Sequence, residues 1–365
     1  IVAEELHGEL LKFIVKCFKF VTYYDLPAPL QSKEVCFSWV NLQLQIINKP
    51  LPPYILSIVN NDDSSALMEI KNSQWVKAKK WSFANLSNLF TKFGTPMNSL
   101  VSSSSSSKEK NYLEFKIFFL DDFVPEILGL YFQLITSWCN NELFLANSCL
   151  YYLILFLDNS IKINKLWKKF FKNNLEDIIS KFLYPILTIK DSVLKLIEED
   201  PMEYIHISMN IFDDDSGIHD MAALGLITTL AEVRESSALG VILRITHELL
   251  VSLHTEQETL QSAKKKEAAF KIIGTILHIL VNPNNKFHDS LKGFLDSFVI
   301  PNLLNRYGFM RLRALDVLAR FTGVEEVSSM FFTIYQGIMV NLSIFNEQTA
   351  SAGPAAPSWR QRAQS

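Results

Sequence analysis

The side chains with the clearest potential for chemistry are acidic, and they crowd into one stretch of the sequence. Residues 191–260 hold 14 acidic and 3 basic side chains, a net charge of −11 in a chain whose formal net charge is −3. Clustered surface carboxylates attract basic polypeptides through long-range electrostatics. A solvated face without a partner is the alternative interpretation. The candidate contact residues for a basic protein partner are Glu198, Glu199, Asp200, Glu203, Asp213, Asp214 and Asp215.

Part of this acidic stretch also resembles the start of a calcium loop. Residues 213–217 read DDDSG, but an EF-hand loop needs ligands at alternate positions and a glutamate at the twelfth, where this chain has Leu224. His247 and His254 share one face of a predicted helix. They are about 10.5 Å apart along it, which is too far for one metal ion. The sequence therefore predicts no metal site.

Covalent chemistry finds as little support. The chain contains no GxGxxG or GxxxxGK[ST] phosphate loop, no HExxH and no GxSxG motif, so no nucleophile can be matched with a base. We predict that the protein is not an enzyme, has no catalytic residue and needs no cofactor. The four cysteines form no CxxC pair, which favours buried free thiols over a disulfide framework or a zinc site: Cys17, Cys36, Cys139 and Cys149.

A second charged pattern combines lysines with aromatic residues. It could form a nucleic-acid stripe with stacking rings, or an amphipathic helix whose lysine face is solvated and whose aromatic face is buried. We favour the helix and predict no nucleic-acid partner, because a net charge of −3 gives no overall attraction to a polyanion. The residues are Lys162, Lys165, Trp167, Lys168, Lys169, Phe170, Phe171 and Lys172.

Helices must position all of these residues. Gly 12 and Pro 13 are too few for the frequent turns of an all-β fold, and apolar residues recur at helical spacing with no convincing alternating strand. The longest apolar run, Leu143 to Leu157, is shorter than the roughly 20 residues of a membrane span, so we predict no membrane insertion. The predicted helices are 4–22, 31–48, 72–93, 113–139, 141–159, 161–187, 190–212, 218–234, 238–257, 260–282, 287–305, 308–323 and 325–343.

These helices contain an internal repeat. Ala223, Ala269 and Ala314 are spaced 46 and 45 residues apart, and each is followed by apolar residues three, four and seven positions later. Such a spacing is the period of HEAT and armadillo units, helix pairs that bury their apolar faces only by stacking on their neighbours. The sequence predicts an all-α, HEAT-repeat superhelical solenoid (ARM-like), with the three alanines at close helix contacts. An irregular helical domain is the alternative.

The solenoid is expected to cover residues 1–345. A flexible serine-rich insertion is expected near residues 99–111, which include six consecutive serines. The composition of residues 346–365 predicts a disordered tail that need not be native to the protein. Prolines 125, 185 and 301 each follow an aromatic residue, and each should bend or end the first helix of a pair. Arg311 and Arg313 point about 200° apart around one helix, so at least one should pair with an acid.

Three motifs resemble one known family in order and spacing. They lie at residues 79–94, which begin KKW and end LFTKFG, at 182–205, which contain FLYPIL and EDPMEYI, and at 298–314, which contain FVIP and YGFMRLRA. They are similar to motifs of the importin-β (karyopherin) family of nuclear transport receptors, in its importin-seven/eight-like branch. With Trp75, the resemblance covers residues 75 to 323. The DPxEYI element also resembles the export receptor for importin-α.

The resemblance implies a fragment of the N-terminal to central part of a nuclear import receptor. Its expected partners are basic cargo proteins such as ribosomal proteins and histones, phenylalanine-glycine nucleoporins, and the GTPase Ran, whose GTP form releases cargo. The family's N-terminal Ran-binding repeats are absent from this chain. The implied location is the cytoplasm and the nucleus, with shuttling through the nuclear pore. A HEAT scaffold for protein assemblies, or an export receptor, remains the alternative.

Overall fold

The structure is a computed structural model that describes residues 2–59, 70, 72–95, 112–200, 202, 218–254, 258–321 and 334–343. Within these ranges every regular element is helical, which confirms the predicted all-α class. The helices are α1 (Val2–Val21), α2 (Lys33–Asn48), α3 (Pro53–Val59), α4 (Gln74–Leu89), α5 (Leu113–Phe118, continued by Val124–Cys139), α6 (Asn147–Ile161), α7 (Asn164–Leu166), α8 (Leu175–Asp177, continued by Tyr184–Leu187), α9 (Asp191–Glu199), α10 (Ile218–Val233), α11 (Glu235–His254), α12 (Leu260–Leu280), α13 (Ser290–Phe294, continued by Ile300–Asn302), α14 (Gly308–Ala319) and α15 (334–343).

Wider, π-helical turns interrupt or extend five of these helices. They are Phe90–Gly94 after α4, Phe119–Phe123 within α5, Trp167–Phe171 after α7, Ile178–Leu183 within α8 and Leu295–Val299 within α13.

The repeated prolines explain three of the wide turns. Pro125, Pro185 and Pro301 each follow the last residue of a wide turn by two positions. The residue before each proline donates its N–H to the carbonyl of the residue five positions earlier in the chain. Proline has no N–H, and its ring crowds the carbonyl four residues earlier; a wider turn moves that carbonyl away. As predicted, the helix ends soon after Pro185 and Pro301. It continues to Cys139 after Pro125, where the wide turn relieves the clash.

The predicted boundaries need correction at several places. The predicted helix 161–187 is interrupted by a turn at residues 172–174, between Trp167–Phe171 and Leu175–Asp177. Helix α3 (Pro53–Val59) was not predicted. The predicted helix 141–159 begins only at Asn147. Before it, Asn141 adopts φ 59°, a left-handed conformation that asparagine tolerates and that follows the end of the preceding helix. The predicted helix 190–212 is interrupted at Asp200, which is not helical (φ −145°, ψ 82°) and precedes Pro201, because a proline disfavours the helical conformation of the residue before it. Met202 is helical again, and residues 203–212 lie outside the described residues. The serine-rich insertion and the tail lie outside the described residues.

Contacts divide the chain into two compact units, Ile1–Leu187 with Ile205–Ile242, and Thr188–Tyr204 with Leu243–Ser365. In the first unit α4 is central: it packs against α1, α2 and α6, and α6 packs in turn against α10. Ala223 on α10 is fully buried, as predicted for a close helix contact.

Buried polar groups also join α4 to its neighbours. The Lys79 ammonium donates to the Ile47 carbonyl at 2.6 Å, and the Asn85 amide donates to the Val15 carbonyl at 2.8 Å. Burial lowers the pKa of Lys79 to about 8. These bonds satisfy groups that would be costly to leave unpaired in the core, and they fix α1 and α2 on α4.

In the second unit α12 packs against α14, so that consecutive repeats meet. Ala269 and Ala314 are fully buried. A Cβ placed on Gly274 would lie only 3.3 Å from Val317 Cγ2, which shows how closely the two helices approach. Both alanines are buried, as predicted, but the face of α12 that meets α14 carries Glu267 and Gly274, and Ala269 lies on the opposite side of that helix.

Helix α11 is the one described helix with the length and hydropathy of a membrane span. One side of it is buried, with Leu239, Ile242 and Leu250 almost inaccessible. Its middle carries the ion pair Arg244–Glu248, at 3.3 Å, on an exposed side. This distribution is typical of an amphipathic core helix.

A buried ion network crosses the α12–α14 contact. Glu267 is 2% exposed; its carboxylate lies 2.8 Å from Arg313 Nε and 3.3 Å from Lys271 Nζ. Arg313 also pairs with Asp316 at 2.8 Å. Arg311 instead donates to the Asn341 side chain and to the Asn305 carbonyl, both at 2.9 Å. The prediction that one of the two arginines pairs with an acid is therefore confirmed.

Removing Arg313 is expected to destabilise the second unit strongly. Arg313→Ala leaves Glu267 buried with only Lys271 as a partner, and breaking a buried pair costs about 3–5 kcal/mol. Urea denaturation should show a lower midpoint. Arg320→Ala is the matched control: this arginine pairs with Asp316 but is 51% exposed, so its loss should cost about 0–1 kcal/mol. Equal, small effects for both variants would show that the Glu267 network does not hold α12 to α14.

Candidate functional site

The described part of the acidic candidate site lies at the end of α9. Glu198 and Glu199 form the last residues of this helix, Asp200 follows it, and all three are exposed. Of these, Glu199 has a cation nearby on its own helix, Lys195, at 3.7 Å with both side chains more than 60% exposed. Three of the seven predicted carboxylates are therefore exposed at one helix end. Glu203, Asp213, Asp214 and Asp215 lie outside the described residues.

The position of these carboxylates is electrostatically unfavourable for the isolated helix. The carboxyl end of a helix carries the partial negative charge of its unsatisfied carbonyls, and acidic side chains there raise the energy by roughly 0.3–1 kcal/mol each at low ionic strength. The Asp200 N–H satisfies one carbonyl, that of Leu196, at 2.8 Å. Three carboxylates at a helix carboxyl terminus form a surface that a cationic partner would stabilise.

Contacts at the start of α9 hold this helix in place. Leu194 is buried. Asp191 pairs with the ammonium group of Lys264; the Lys264 side chain is 4% exposed and the Asp191 side chain is 79% exposed. Lys264 belongs to α12, the helix that carries the Glu267 network. The acidic end of α9 is thus anchored to the core of the second unit through its opposite end.

Other acids of residues 191–260 have partners within the protein. Glu248 pairs with Arg244, and Glu258 lies 3.0 Å from Lys266 Nζ and accepts hydrogen bonds from the Asn305 amide at 3.0 and 3.1 Å. Arg306 donates to the Glu258 carbonyl at 2.6 Å. These groups hold the loop before α12 and are less available to a partner. The net charge of the stretch therefore overstates the acidity of its free surface.

The lysine and aromatic residues of 162–172 form the amphipathic arrangement favoured from the sequence. Trp167 and Phe171 are buried and stack 6.4 Å apart, and the Arg234 guanidinium lies 5.3 Å from the Trp167 ring. Lys168, Lys169 and Lys172 are exposed. Because the indole and Phe171 are buried in the protein, they offer no platform for stacking bases.

One shallow cavity borders this segment. It measures about 320 Å³ and is lined by Trp167, Leu175 and Val241 on its apolar side and by Lys172, Glu176 and Ser237 on its polar side. The nearby Arg234 guanidinium donates two hydrogen bonds to the Ile161 carbonyl, at 2.9 and 2.7 Å. The cavity combines an aromatic wall with polar edges, which suits an apolar side chain of a peptide.

No group of three metal-ligating side chains occurs in the part of the chain that the structure describes. His247 and His254 both flank the Phe298 ring, at 6.1 and 6.2 Å. All four cysteines are free thiols. Burial raises the pKa of the Cys36 and Cys149 thiols to about 12, which makes them unreactive near neutral pH. The possible calcium loop, 213–217, lies outside the described residues.

Sequence reasoning missed several residues that hold the site. Lys264 was not among the predicted site residues, yet it is the buried partner of Asp191. Asn305 and Glu258 gave no pattern signal, because they meet across 47 positions of sequence. Arg313 alone among these positioning groups belonged to a recognised motif.

Comparisons with known proteins agree with the fold and the motifs. The sequence model of the Cse1 family matches residues 107–306, more than half of the chain. The chain is 30% identical over 335 residues to Nonsense-mediated mRNA decay protein 5 of Saccharomyces cerevisiae, and 27% identical over 316 residues to Importin-8 of Homo sapiens. These matches cover 91% and 87% of the chain.

A solved structure gives the same architecture. The exportin Cse1 in its cargo-free, cytoplasmic state superposes with a TM-score of 0.64 at 14% identity, and the match covers 87% of this chain. The chain spans only about 30% of the length of its relatives: 30% and 28% of the two proteins named above, and 31% of the exportin. The fold is therefore that of a HEAT-repeat solenoid, and the chain belongs to the importin-β family of nuclear transport receptors, to which Cse1 and the importins belong.

Proposed function

We propose that this chain is the cargo-contacting part of a nuclear import receptor, which carries basic proteins through the nuclear pore under the control of Ran-GTP. The observation that carries the proposal is the exposed acidic end of α9 in a chain of this family. Glu198, Glu199 and Asp200 are consecutive residues at a helix carboxyl terminus, where a lysine-rich chain would offset both their charge and the helix dipole. Glu203 and Asp213 to Asp215 extend the proposed surface in sequence.

Movement through the pore would need contacts with phenylalanine-glycine nucleoporins. The cavity beside Trp167 supports this part of the proposal, because its apolar wall of Trp167, Leu175 and Val241 could take a phenylalanine ring. Proteins that act in this way occupy both the cytoplasm and the nucleus, so we propose that location for this one. A HEAT scaffold without a transport role should not be retained on a phenylalanine-glycine repeat resin, whereas a transport receptor should be.

Export is the second candidate. The Cse1 family match and the exportin fold favour it as much as the importin relatives favour import. The two directions differ in how Ran-GTP acts: it releases cargo from an import receptor and strengthens cargo binding by an export receptor. The acidic α9 end is compatible with both, since it concerns the cargo and not the direction.

Basic cargo should bind with a steep dependence on salt. Exposed charge pairs are screened beyond about 8 Å at physiological ionic strength, so raising salt from about 50 to 300 mM should weaken the affinity for a lysine-rich ribosomal protein. Changing Glu198 and Glu199 to Gln and Asp200 to Asn should weaken binding by about tenfold at the lower salt, mainly through slower association. Surface plasmon resonance gives both rates.

A matched control keeps the same change in net charge. Glu114, Glu126 and Glu142 are exposed acids of the first unit, and changing all three to Gln should leave the affinity within about twofold. Equal affinities and association rates for wild type and the α9 variant would leave the acidic end of α9 as a solvated surface. Equal losses for both variants would reduce the interaction to net charge.

If the direction is import, Ran-GTP should release the ribosomal protein from a receptor in which this chain is joined to the family's N-terminal Ran-binding repeats. The measurement is the fraction of cargo that stays on immobilised receptor after addition of Ran-GTP, with Ran-GDP as the control. Retention that increases with Ran-GTP would establish export and contradict the import proposal. No change with either nucleotide would show that this chain does not couple cargo to Ran.

A further inference from the structure

Three exposed lysines lie on or just after the wide turn that carries Trp167, at the edge of the cavity described above. They are Lys168, Lys169 and Lys172, and we call them the lysine turn. Lys172 lines the cavity, and Lys168 lies one helical turn before it, about 6 Å away along the helix axis. The apolar wall of the cavity and this cationic edge therefore belong to one surface of the first unit.

The lysine turn differs from the lysines around it because its charge is not paired within the protein. Three neighbouring lysines each pair with an aspartate, at 2.6 to 2.9 Å: Lys162 with Asp158, Lys165 with Asp121 and Lys181 with Asp177. In the part of the chain that the structure describes, no carboxylate forms an ion pair with the lysine turn. The nearby aspartates are already occupied, so a carboxylate that neutralises these ammonium groups must come from another molecule.

One carboxylate of the protein restricts how such a ligand can lie. Glu176 lines the polar side of the cavity, four residues after Lys172. It would repel a ligand with acidic groups on both sides of its apolar group, whereas Lys172 attracts acidic groups on one side. The cavity therefore favours a ligand whose apolar group has carboxylates on one side only.

We propose that the cavity and the lysine turn together bind a segment of a partner protein in which acidic residues flank a phenylalanine on one side. The ring packs on the apolar wall, and the carboxylates lie over the lysine turn. Side chains two positions apart in an extended peptide point to the same side and are about 7 Å apart, close to the spacing of Lys168 and Lys172. This inference rests on the proposed use of the cavity for a phenylalanine ring, and it adds negative charge beside that ring as a condition for tight binding.

A peptide fits this surface better than a nucleic acid does. Trp167 and Phe171 are buried, and the ring of Phe170 stacks on Phe132 at 6.1 Å with Lys169 on it at 5.1 Å, so these rings offer no open platform for bases. Affinity for a nucleic acid also grows with the number of neutralised phosphates, and three lysines neutralise few. An aromatic side chain with adjacent carboxylates uses both the cavity and the lysines.

The probe is a fluorescein-labelled peptide with a Phe-Gly pair followed by Asp at alternate positions, titrated with the full chain and followed by fluorescence anisotropy. At low salt it should bind about tenfold more tightly than the same peptide with Asn in place of Asp, because each exposed charge pair contributes a few-fold. At high salt the two peptides should bind alike, because the charge pairs are then screened.

Variants of the chain place this effect on the lysine turn. Changing its three lysines to Gln should weaken binding of the Asp peptide about tenfold and leave the Asn peptide within about twofold. The matched control changes the exposed Lys195, Lys286 and Lys292 of the second unit to Gln, with the same loss of charge. It should leave both peptides within about twofold of wild type.

A substitution in the apolar wall separates this inference from the proposed function on which it rests. Val241→Asn removes apolar contact without adding charge and should weaken both peptides about fivefold. Equal affinities of the two peptides for wild type, or equal losses with both Gln triples, overturn the inference and leave the phenylalanine site in place. Binding of neither peptide, or no effect of Val241→Asn on either, overturns both. Tighter binding of a short oligouridine RNA overturns the inference, and the α9 variant should bind both peptides like wild type.

Discussion

The long described helices bury apolar faces against neighbouring helices, and the rest of the structure depends on how closely those neighbours approach. Small residues help to set that distance. Gly274 on α12 leaves room for Val317 on α14, and Ala269 and Ala314 are fully buried in the same two helices. Stacking of this kind makes stability a matter of contacts between successive helix pairs. A larger side chain at such a contact would push a whole pair away from the next.

Charged side chains that lie within a close helix contact are buried and need a partner inside the protein, whereas charged side chains away from such contacts stay exposed to solvent. Glu267 and Arg313 lie within the α12–α14 contact and neutralise each other there, and Lys264 reaches from the same helix to Asp191 at the start of α9. These buried groups leave the far end of α9 anchored but exposed. Glu198, Glu199 and Asp200 are therefore exposed to solvent at the carboxyl end of an anchored helix, and this end of a helix favours a cation.

Much of this could be read from the sequence, because helix periodicity and the 45-residue repeat reflect burial directly. The alanines and the pairing of Arg313 follow from spacing along one helix. The exceptions have local causes that periodicity does not record: the left-handed Asn141, the non-helical Asp200 before proline, and wide turns that let a helix continue past Pro125. The candidate site was harder to predict, because the contacts Asp191–Lys264 and Glu258–Asn305 join residues that are far apart in sequence. The net charge of residues 191–260 includes acids, such as Asp191 and Glu258, that already pair with lysines of the protein.

The central claim is that the exposed end of α9 meets basic cargo. Hydrogen exchange of the chain with and without a lysine-rich ribosomal protein, measured by mass spectrometry at low salt, tests it most directly. Amides near the carboxyl end of α9 should exchange more slowly in the complex, and the effect should disappear at high salt, because the contact is electrostatic. Amides in α1 and α4 should be unchanged. Slower exchange confined to other helices, with α9 unaffected, would contradict the account.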